Sequence, residues 1–422
     1  MSTTVEHVTC TFCGCLCDDL VVEVDDNRIT KVRRVCANGM GVFTEYDPTL
    51  RRPTVSGREV GWEEAVEEAA DILKKADSPL IYGLSSSATE SQRKAVELAD
   101  RLGAIVDTTS SVCHGPTGLA MQAVGEPSCT LGEVRNRADL VVFWGCNPAA
   151  SHLRHFSRYS LTPKGMLVPN GRQDRTMFVV DVRPTGTSKM ADHFLQLDVG
   201  ADFEVLTTLR LLVKGGEVEA ESVGGIPLAQ LQELAERMKG CRFGVAFMGM
   251  GLTMSQARHY NVAELFSLVA ELNEHTRFSV IPMRGHGNVA GADQVLTWSA
   301  GYPFAVSYAR GYPQFGPGEF SAVDVLARQA ADAALVLASD PVAHFPRAAA
   351  EHLERIPTIL IDPAPNLTAS IARVVFPTAC YGVDAEGTAY RMDNVPISLR
   401  PVIASDRPTD EQILSRIIEA VT

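Results

Sequence analysis

The stretch Asp139-Leu-Val-Val-Phe-Trp-Gly-Cys-Asn-Pro148 decides the fold. Residues 140–144 are uninterruptedly apolar, which suits a strand buried on both faces rather than one with a wet side. Glycine ends the run, and proline follows where a helix starts. The same order recurs along the chain. Pro79-Leu-Ile-Tyr-Gly83 leads through Leu84-Ser-Ser-Ser into a helical stretch at 90–102, and 104–107 leads into a Ser/Thr-rich turn. Residues 177–181 end in Val182-Arg-Pro-Thr-Gly186, 243–247 in Met248-Gly-Met-Gly251, and 277–281 in Pro282-Met-Arg-Gly-His-Gly-Asn288. Residues 333–338 end in Ser339-Asp-Pro341, and 357–362 in Pro363. Short apolar strands alternating with helices predict parallel sheets with helices on both faces, an α/β class. Ligands of such sheets lie at the carboxyl ends of the strands. The small and polar residues there let a phosphate approach the backbone.

The chain has 422 residues, 45% hydrophobic and 21% charged. At roughly 150 residues per domain this predicts two or three domains, and it excludes long disorder, collagen-like repeats and coiled coil as the main architecture. A net charge of −13 argues against a nucleic-acid partner, which needs a basic face. No apolar run approaches the roughly 18 residues of a membrane span. The first residues lack the basic and apolar regions of a signal peptide, so a cytoplasmic protein is expected.

Ten cysteines are present, and five lie within the first 36 residues. In a reducing compartment, clustered cysteines are ligands or nucleophiles more often than disulfides. Residues 20–34 alternate apolar and polar on both sides of Asp25-Asp26-Asn27, a hairpin pattern that returns Cys36 toward Cys17. Cys10, Cys13, Cys17 and Cys36 then form C-x2-C-x3-C-x18-C, which suits a [4Fe–4S] cluster. Zinc and free thiols are the alternatives, and zinc ribbons usually show a second C-x2-C knuckle. Cys15 is spare. In the body no loop is a strict G-x-G-x-x-G or G-x-x-x-x-G-K-[ST], so ordinary NAD or ATP folds have no direct support. Many Gly/Asn/Pro loops together suit one large, multiply phosphorylated ligand.

The cysteine module, the Gly-Cys-Asn-Pro, Asp-Val-Arg-Pro-Thr and Ser-Asp-Pro loops, and Glu386-Gly-Thr…Asn394 together resemble the molybdopterin oxidoreductases. Within them, residues 10–19, Ser111-Val-Cys-His-Gly-Pro116 and Met283-Arg-Gly-His-Gly-Asn288 resemble the B-type subunits of formylmethanofuran dehydrogenases. The resemblance implies an iron–sulfur module at 1–55, a discontinuous α/β domain at 56–138 and 320–422, and an inserted dinucleotide-binding α/β domain at 139–319. It implies a [4Fe–4S] cluster on Cys10, Cys13, Cys17 and Cys36. It also implies tungsten or molybdenum held by two molybdopterin guanine dinucleotides, with Cys113 as the protein ligand. His114 would move a proton, and Arg284 would hold CO2 or a carboxylate. Gly145, Asn147, Asp181, Thr185, Gly249, Asp340 and Thr388 would lie along the dinucleotides, placed by loop type.

The implied activity is reversible CO2 reduction to formate. Larger family members continue into a C-terminal β-barrel, whereas here 406–418 reads as one capped amphipathic helix. The barrel is therefore expected on a separate D-like subunit. Beside it are expected an amidohydrolase-like, A-type subunit that condenses formate with methanofuran, and a C-type subunit. Ferredoxin-type carriers would supply electrons. Two other readings stand beside this one: a non-redox scaffold of a formyltransferase/hydrolase complex, and a formate dehydrogenase-like catalytic subunit. Residues 301–318, rich in Gly and Pro and carrying Tyr302, Tyr308 and Tyr312, read as a partner-facing or cofactor-covering loop.

Overall fold

The computed structural model describes residues 3–47, 49 and 51–422. Two compact units form, residues 1–112 with 286–422, and residues 113–285. The sequence reading put these divisions near 138 and 319. Two packings set the actual ones. The helix Gly115–Val124 packs on His259–Leu272 and contributes Ala120 to the core of the 113–285 unit. Val306–Ser307 pairs with Ile105–Val106 in the other unit.

In the 113–285 unit five parallel strands lie in the order His193–Gln196, Thr176–Asp181, Leu140–Trp144, Phe243–Met248, Arg277–Pro282. Numbered by their sequence within this sheet, this is 3-2-1-4-5, a doubly wound sheet whose order reverses between Leu140–Trp144 and Phe243–Met248. Leu140–Trp144 is buried throughout, as its unbroken apolar run requires. Its alternate residues Leu140, Val142 and Trp144 face Val205, Leu209, Leu265 and Phe266 in one core. The Trp144 indole N–H donates to Asp202 Oδ1 at 2.8 Å, so the largest side chain there leaves no unmet donor.

The other unit holds a nine-stranded sheet. Its centre is parallel, in the order Ile105–Thr108, Pro79–Gly83, Ala333–Leu337, Thr358–Ile361, Val374–Phe376. Antiparallel pieces close both edges. One edge is residues 301–318, read from sequence as a loop over a partner or cofactor. It forms a ribbon in which Val306–Ser307 pairs with Gln314–Phe315 and Tyr302 stacks on Phe315 at 4.9 Å. Tyr308 is buried in the sheet's core. These aromatics finish the sheet edge, and Tyr312 remains exposed. The tail forms the helix Asp410–Val421, started by a Thr409–Gln412 capping box, and buries Ile413, Leu414, Ile417 and Ile418.

The N-terminus adds an antiparallel sheet of Thr3–Val8, Leu20–Asp25 and Arg28–Arg33. Asp26 and Asn27 turn the hairpin with φ of 47° and 58°, the left-handed pair a two-residue turn needs. The last strand's sequel delivers Cys36 to the N-cap of the helix Ala37–Thr44.

Gly83 ends its strand opposite Leu337, at the reversal point of the larger sheet. Its φ is +112°, and a Cβ there would stand 2.2 Å from the Leu337 carbonyl oxygen. Gly83→Ala is expected to cost about 3 kcal/mol or more, read as a lowered urea midpoint with an unchanged m-value.

Candidate functional site

Two loops meet where the 113–285 sheet reverses. Gly145, at φ +56°, donates its N–H to Val180 O at 2.9 Å. Gly249 N donates to Trp144 O at 3.0 Å, and Gly251 N to Gly145 O at 2.8 Å. The backbones touch so closely that a Cβ on Gly145 would lie 2.6 Å from Leu252 N. Asn147 Oδ1 accepts from Thr187 N at 3.2 Å and Thr187 Oγ1 at 2.7 Å, tying in the next loop. In that loop Thr185 and Ser188 exchange side-chain and backbone bonds at 2.8 and 3.2 Å. Asp181 ends its strand with a carboxyl raised by burial, against the pull of the Val182 and Arg183 amides.

Five sequence-derived positions, Gly145, Asn147, Asp181, Thr185 and Gly249, thus share the carboxyl rim of three adjacent strands. Asp340 and Thr388 belong to the other unit. Asp340 follows Ala333–Leu337 and accepts from Thr368 N, Thr368 Oγ1 and Leu367 N at 2.9, 2.7 and 3.0 Å. Thr388 donates its N–H and hydroxyl to Glu90 at 2.9 and 2.8 Å. Both brace their own loops.

Cys113 and His114 open the helix Gly115–Val124. The turn that delivers them is pinned twice, by Ser111 Oγ on Asp107 at 2.7 Å and Ser110 Oγ on Asp293 at 2.8 Å. Thr253 Oγ1 donates to Cys113 O at 2.7 Å. His114 Nε2 lies 3.3 Å from Met283 O, and Nδ1 lies 3.1 Å from Thr117 Oγ1. A carbonyl only accepts, so the hydrogen is on Nε2 and the Thr117 hydroxyl donates to Nδ1. Burial, with Arg284 nearby, pushes His114 down to about 3, so it is neutral at pH 7.

His114 thereby links Cys113 to the segment that carries Arg284, which is 7% exposed. Every backbone polar group of Met283 and Arg284 is engaged. Met283 N donates to Met248 O at 2.8 Å, and Met283 O receives His114. Arg284 N donates to Pro282 O at 3.0 Å, and Arg284 O lies 2.8 Å from His152 Nε2. Glu126 is within electrostatic reach of Arg284. The residue is partly exposed, but its carboxyl is packed deeply enough that burial pushes it up to about 7, against Arg284 and a hydrogen bond from Ser128. His152, Glu126 and Thr253 were not found from sequence. The one available signal was that His152 follows the Gly-Cys-Asn-Pro loop by four residues.

In the N-terminal module the thiols gather on one loop. Cys10 N donates to Cys17 O at 2.9 Å, and Leu16 N to Cys13 O at 3.0 Å. Cys36 Sγ accepts from Gly39 N at 3.4 Å. A Cβ on Gly39 would lie 2.7 Å from Cys10 Sγ and 3.6 Å from Cys36 Sγ, so both sulfurs flank that glycine. Burial raises Cys10 well above the usual thiol range, and the charges of Cys13, Cys17 and Cys36 add to the rise. Cys15 is fully enclosed and donates to Cys13, which lowers Cys13 and raises Cys15. Among the described residues no group of three or more His, Cys, Asp or Glu side chains stands ready to hold a single metal ion.

The family model for molybdopterin oxidoreductases matches residues 46–406. The chain is 46% identical to the B subunit of the tungsten-containing formylmethanofuran dehydrogenase 2 of Methanocaldococcus jannaschii, across 99% of this chain and 98% of that one. It is 43% identical to the protein of the same name from Methanococcus maripaludis, again across 99% and 98%. Among solved structures it resembles part of the formyltransferase/hydrolase complex of Methylorubrum extorquens with methylofuran. That match has a TM-score of 0.70 and 26% identity, over 87% of this chain and 98% of that one. No helix among the described residues is long and apolar enough to cross a membrane. A doubly wound sheet with loops gathered at its reversal, a cysteine before a helix start tied through His114 to the segment of a buried arginine, and near-full-length identity above 40% agree: the chain belongs to the molybdopterin oxidoreductase family, among the B-type subunits of the formylmethanofuran dehydrogenases.

Proposed function

We propose that this chain is the redox-active subunit of a formylmethanofuran dehydrogenase complex, reducing CO2 to formate and running the reverse. The observation that carries the reading is the link from Cys113 through His114 to Met283 and the buried Arg284, all within one unit. A thiolate suits a soft, high-valent metal, and a guanidinium fork matches a carboxylate with two hydrogen bonds.

The residues fit the groups in question. Asp181, at the end of the strand next to the reversal, has the acid chemistry that meets a ribose hydroxyl in doubly wound sheets. Gly145 and Gly249 leave backbone in place of side chains at that reversal. Four of the five N-terminal thiols, Cys10, Cys13, Cys17 and Cys36, match the spacing of a [4Fe–4S] set, and both Cys10 and Cys36 flank the side-chain-free Gly39. When bound, a pterin-held tungsten or molybdenum supplies two-electron chemistry at one carbon, and an iron–sulfur cluster supplies electrons singly.

Reduction consumes CO2, two electrons and one proton and gives formate. Cys113 would hold the metal, and Arg284 would bind the two oxygens of CO2 or formate. The proton is handled at His114 Nδ1, whose partner is a hydroxyl that rotates away, while Nε2 stays on Met283 O. Partners of the D, A and C types complete the complex, cover the site and use the formate. The scaffold reading draws on the likeness to the Methylorubrum complex. The higher identity to the dehydrogenase sequences and the retained thiol set favour the redox reading.

Anaerobically purified complex is expected to carry about four irons and one tungsten or molybdenum per copy of this polypeptide. Iron and pterin metal both absent from a complex that still hydrolyses formylmethanofuran would make the protein a scaffold. Cys113→Ser is expected to abolish CO2 reduction and formate oxidation while the subunits still co-purify; full activity with serine removes the ligand assignment. Cys36→Ala is expected to remove the reduced cluster's electron-spin signal, and an unchanged signal assigns the fourth position to Cys15.

Glu126 gives a pH signature. Its folded pKa is raised, so the carboxyl is neutral below about 7 and ionises above. Once ionised it competes with formate for Arg284. The KM for formate is expected to climb by up to about tenfold per pH unit above 7, and Glu126→Gln to flatten that rise. A KM equally steep in the variant excludes Glu126 as the cause.

A further inference from the structure

We propose that His152 is a positioning residue for Arg284: its Nε2–H grips the Arg284 carbonyl and so aims the guanidinium at the substrate oxygens. This rests on the reading of Arg284 as the group that holds CO2 or formate.

His152 is 3% exposed. Its Nε2 lies 2.8 Å from Arg284 O, and its Nδ1 lies 2.8 Å from Ser151 Oγ. Since the carbonyl only accepts, Nε2 carries the hydrogen and the Ser151 hydroxyl donates to Nδ1. The imidazole's mount is rigid. His152 N donates to Pro148 O at 2.9 Å, and His152 O accepts from His155 N at 2.8 Å. The helix Pro148–Ser151 that carries it grows from the Gly145–Asn147 loop.

On the receiving side, Arg284 N is already held by Pro282 O at 3.0 Å. With His152 on the carbonyl, both peptide planes around Arg284 are fixed, and with them the direction of the Cα–Cβ bond. The guanidinium lies about 6 Å from Cα, so a swing of the backbone by about 20° moves it by about 2 Å. A displacement of that size breaks the fork's hydrogen bonds to the substrate oxygens, so formate binding weakens. Losing the grip also leaves a buried carbonyl without its donor, which favours rearrangement of the strap.

The test uses the holo complex, with formate as substrate and a low-potential viologen as acceptor. His152→Leu is expected to raise the KM for formate by at least about tenfold while kcat stays within about threefold. His152→Gln, whose amide N–H reaches where Nε2 stood, is expected to restore KM to within about threefold of wild type. Hydrogen exchange of the 283–285 amides is expected to quicken by about tenfold in the Leu variant and not in the Gln variant. Should leucine prevent assembly, His152→Asn replaces it, because its shorter amide stops short of the carbonyl. A loaded Leu or Asn variant with wild-type KM overturns the proposal. So does a fall in kcat alone, or a Gln variant no better than Leu. Arg284→Gln separates the two claims. If it leaves KM unchanged, the Arg284 reading itself falls; if it raises KM while the 152 variants do not, only the role of His152 falls.

Discussion

The backbone contact between the Gly145 and Gly249–Gly251 loops is the constraint on which the rest of the 113–285 unit depends. Two adjacent parallel strands, Leu140–Trp144 and Phe243–Met248, run out of the sheet in register, and their sequels diverge to opposite faces at the reversal. At that point side chains would force the loops apart. With glycines on both sides, the Gly251 N–H reaches Gly145 O, and the strand ends stay paired to their last residues. Met248 O is consequently free to take the N–H of Met283 from the next strand's end, and this fixes where the Arg284 segment begins. The position of a buried cation is thus set by glycines more than thirty residues upstream.

The electrostatics of that cation follow from the same packing. A guanidinium removed from water costs several kcal/mol unless its donors are met. His114 and His152 are both held neutral by burial, and the Glu126 carboxyl is raised to about 7 by the same cause. Near neutral pH the two imidazoles therefore add no charge of their own beside the guanidinium, in a medium where charge acts strongly. In the dehydrogenase reading, formate or CO2 would meet groups arranged before it arrives.

How much of this was legible in the sequence depended on whether the relevant contacts were local. Buried parallel strands announce themselves, because both faces must be apolar: Leu140–Trp144 and Ala333–Leu337 are unbroken runs. The capped tail was legible for the same reason, since Thr409 and Gln412 lie within one turn. The unit boundary was not. Gly115–Val124 has a weakly two-sided sequence, and only its packing on His259–Leu272 assigns it to the 113–285 unit. The strand pairing at 306–315 was not visible because two-residue strands carry no period. In the candidate site, Cys113, His114 and Arg284 were named through a resemblance. His152 was invisible because its partner lies 132 residues away, and nothing in Ser-His-Leu-Arg-His distinguishes a clamp from a surface histidine.

The loop from Gly145 to His152 joins two tasks that are separate in most doubly wound sheets. Its first residues form the reversal-point cradle, where Asn147 also anchors the neighbouring loop through Thr187. Its last residue holds Arg284. Between them lies one short helix, Pro148–Ser151, whose Ser151 hydroxyl donates to His152 Nδ1 at 2.8 Å. A segment that short has no slack to absorb a shift at one end without passing it to the other. In the dehydrogenase reading, seating a dinucleotide against Asn147 and aiming the arginine at the substrate become one conformational event.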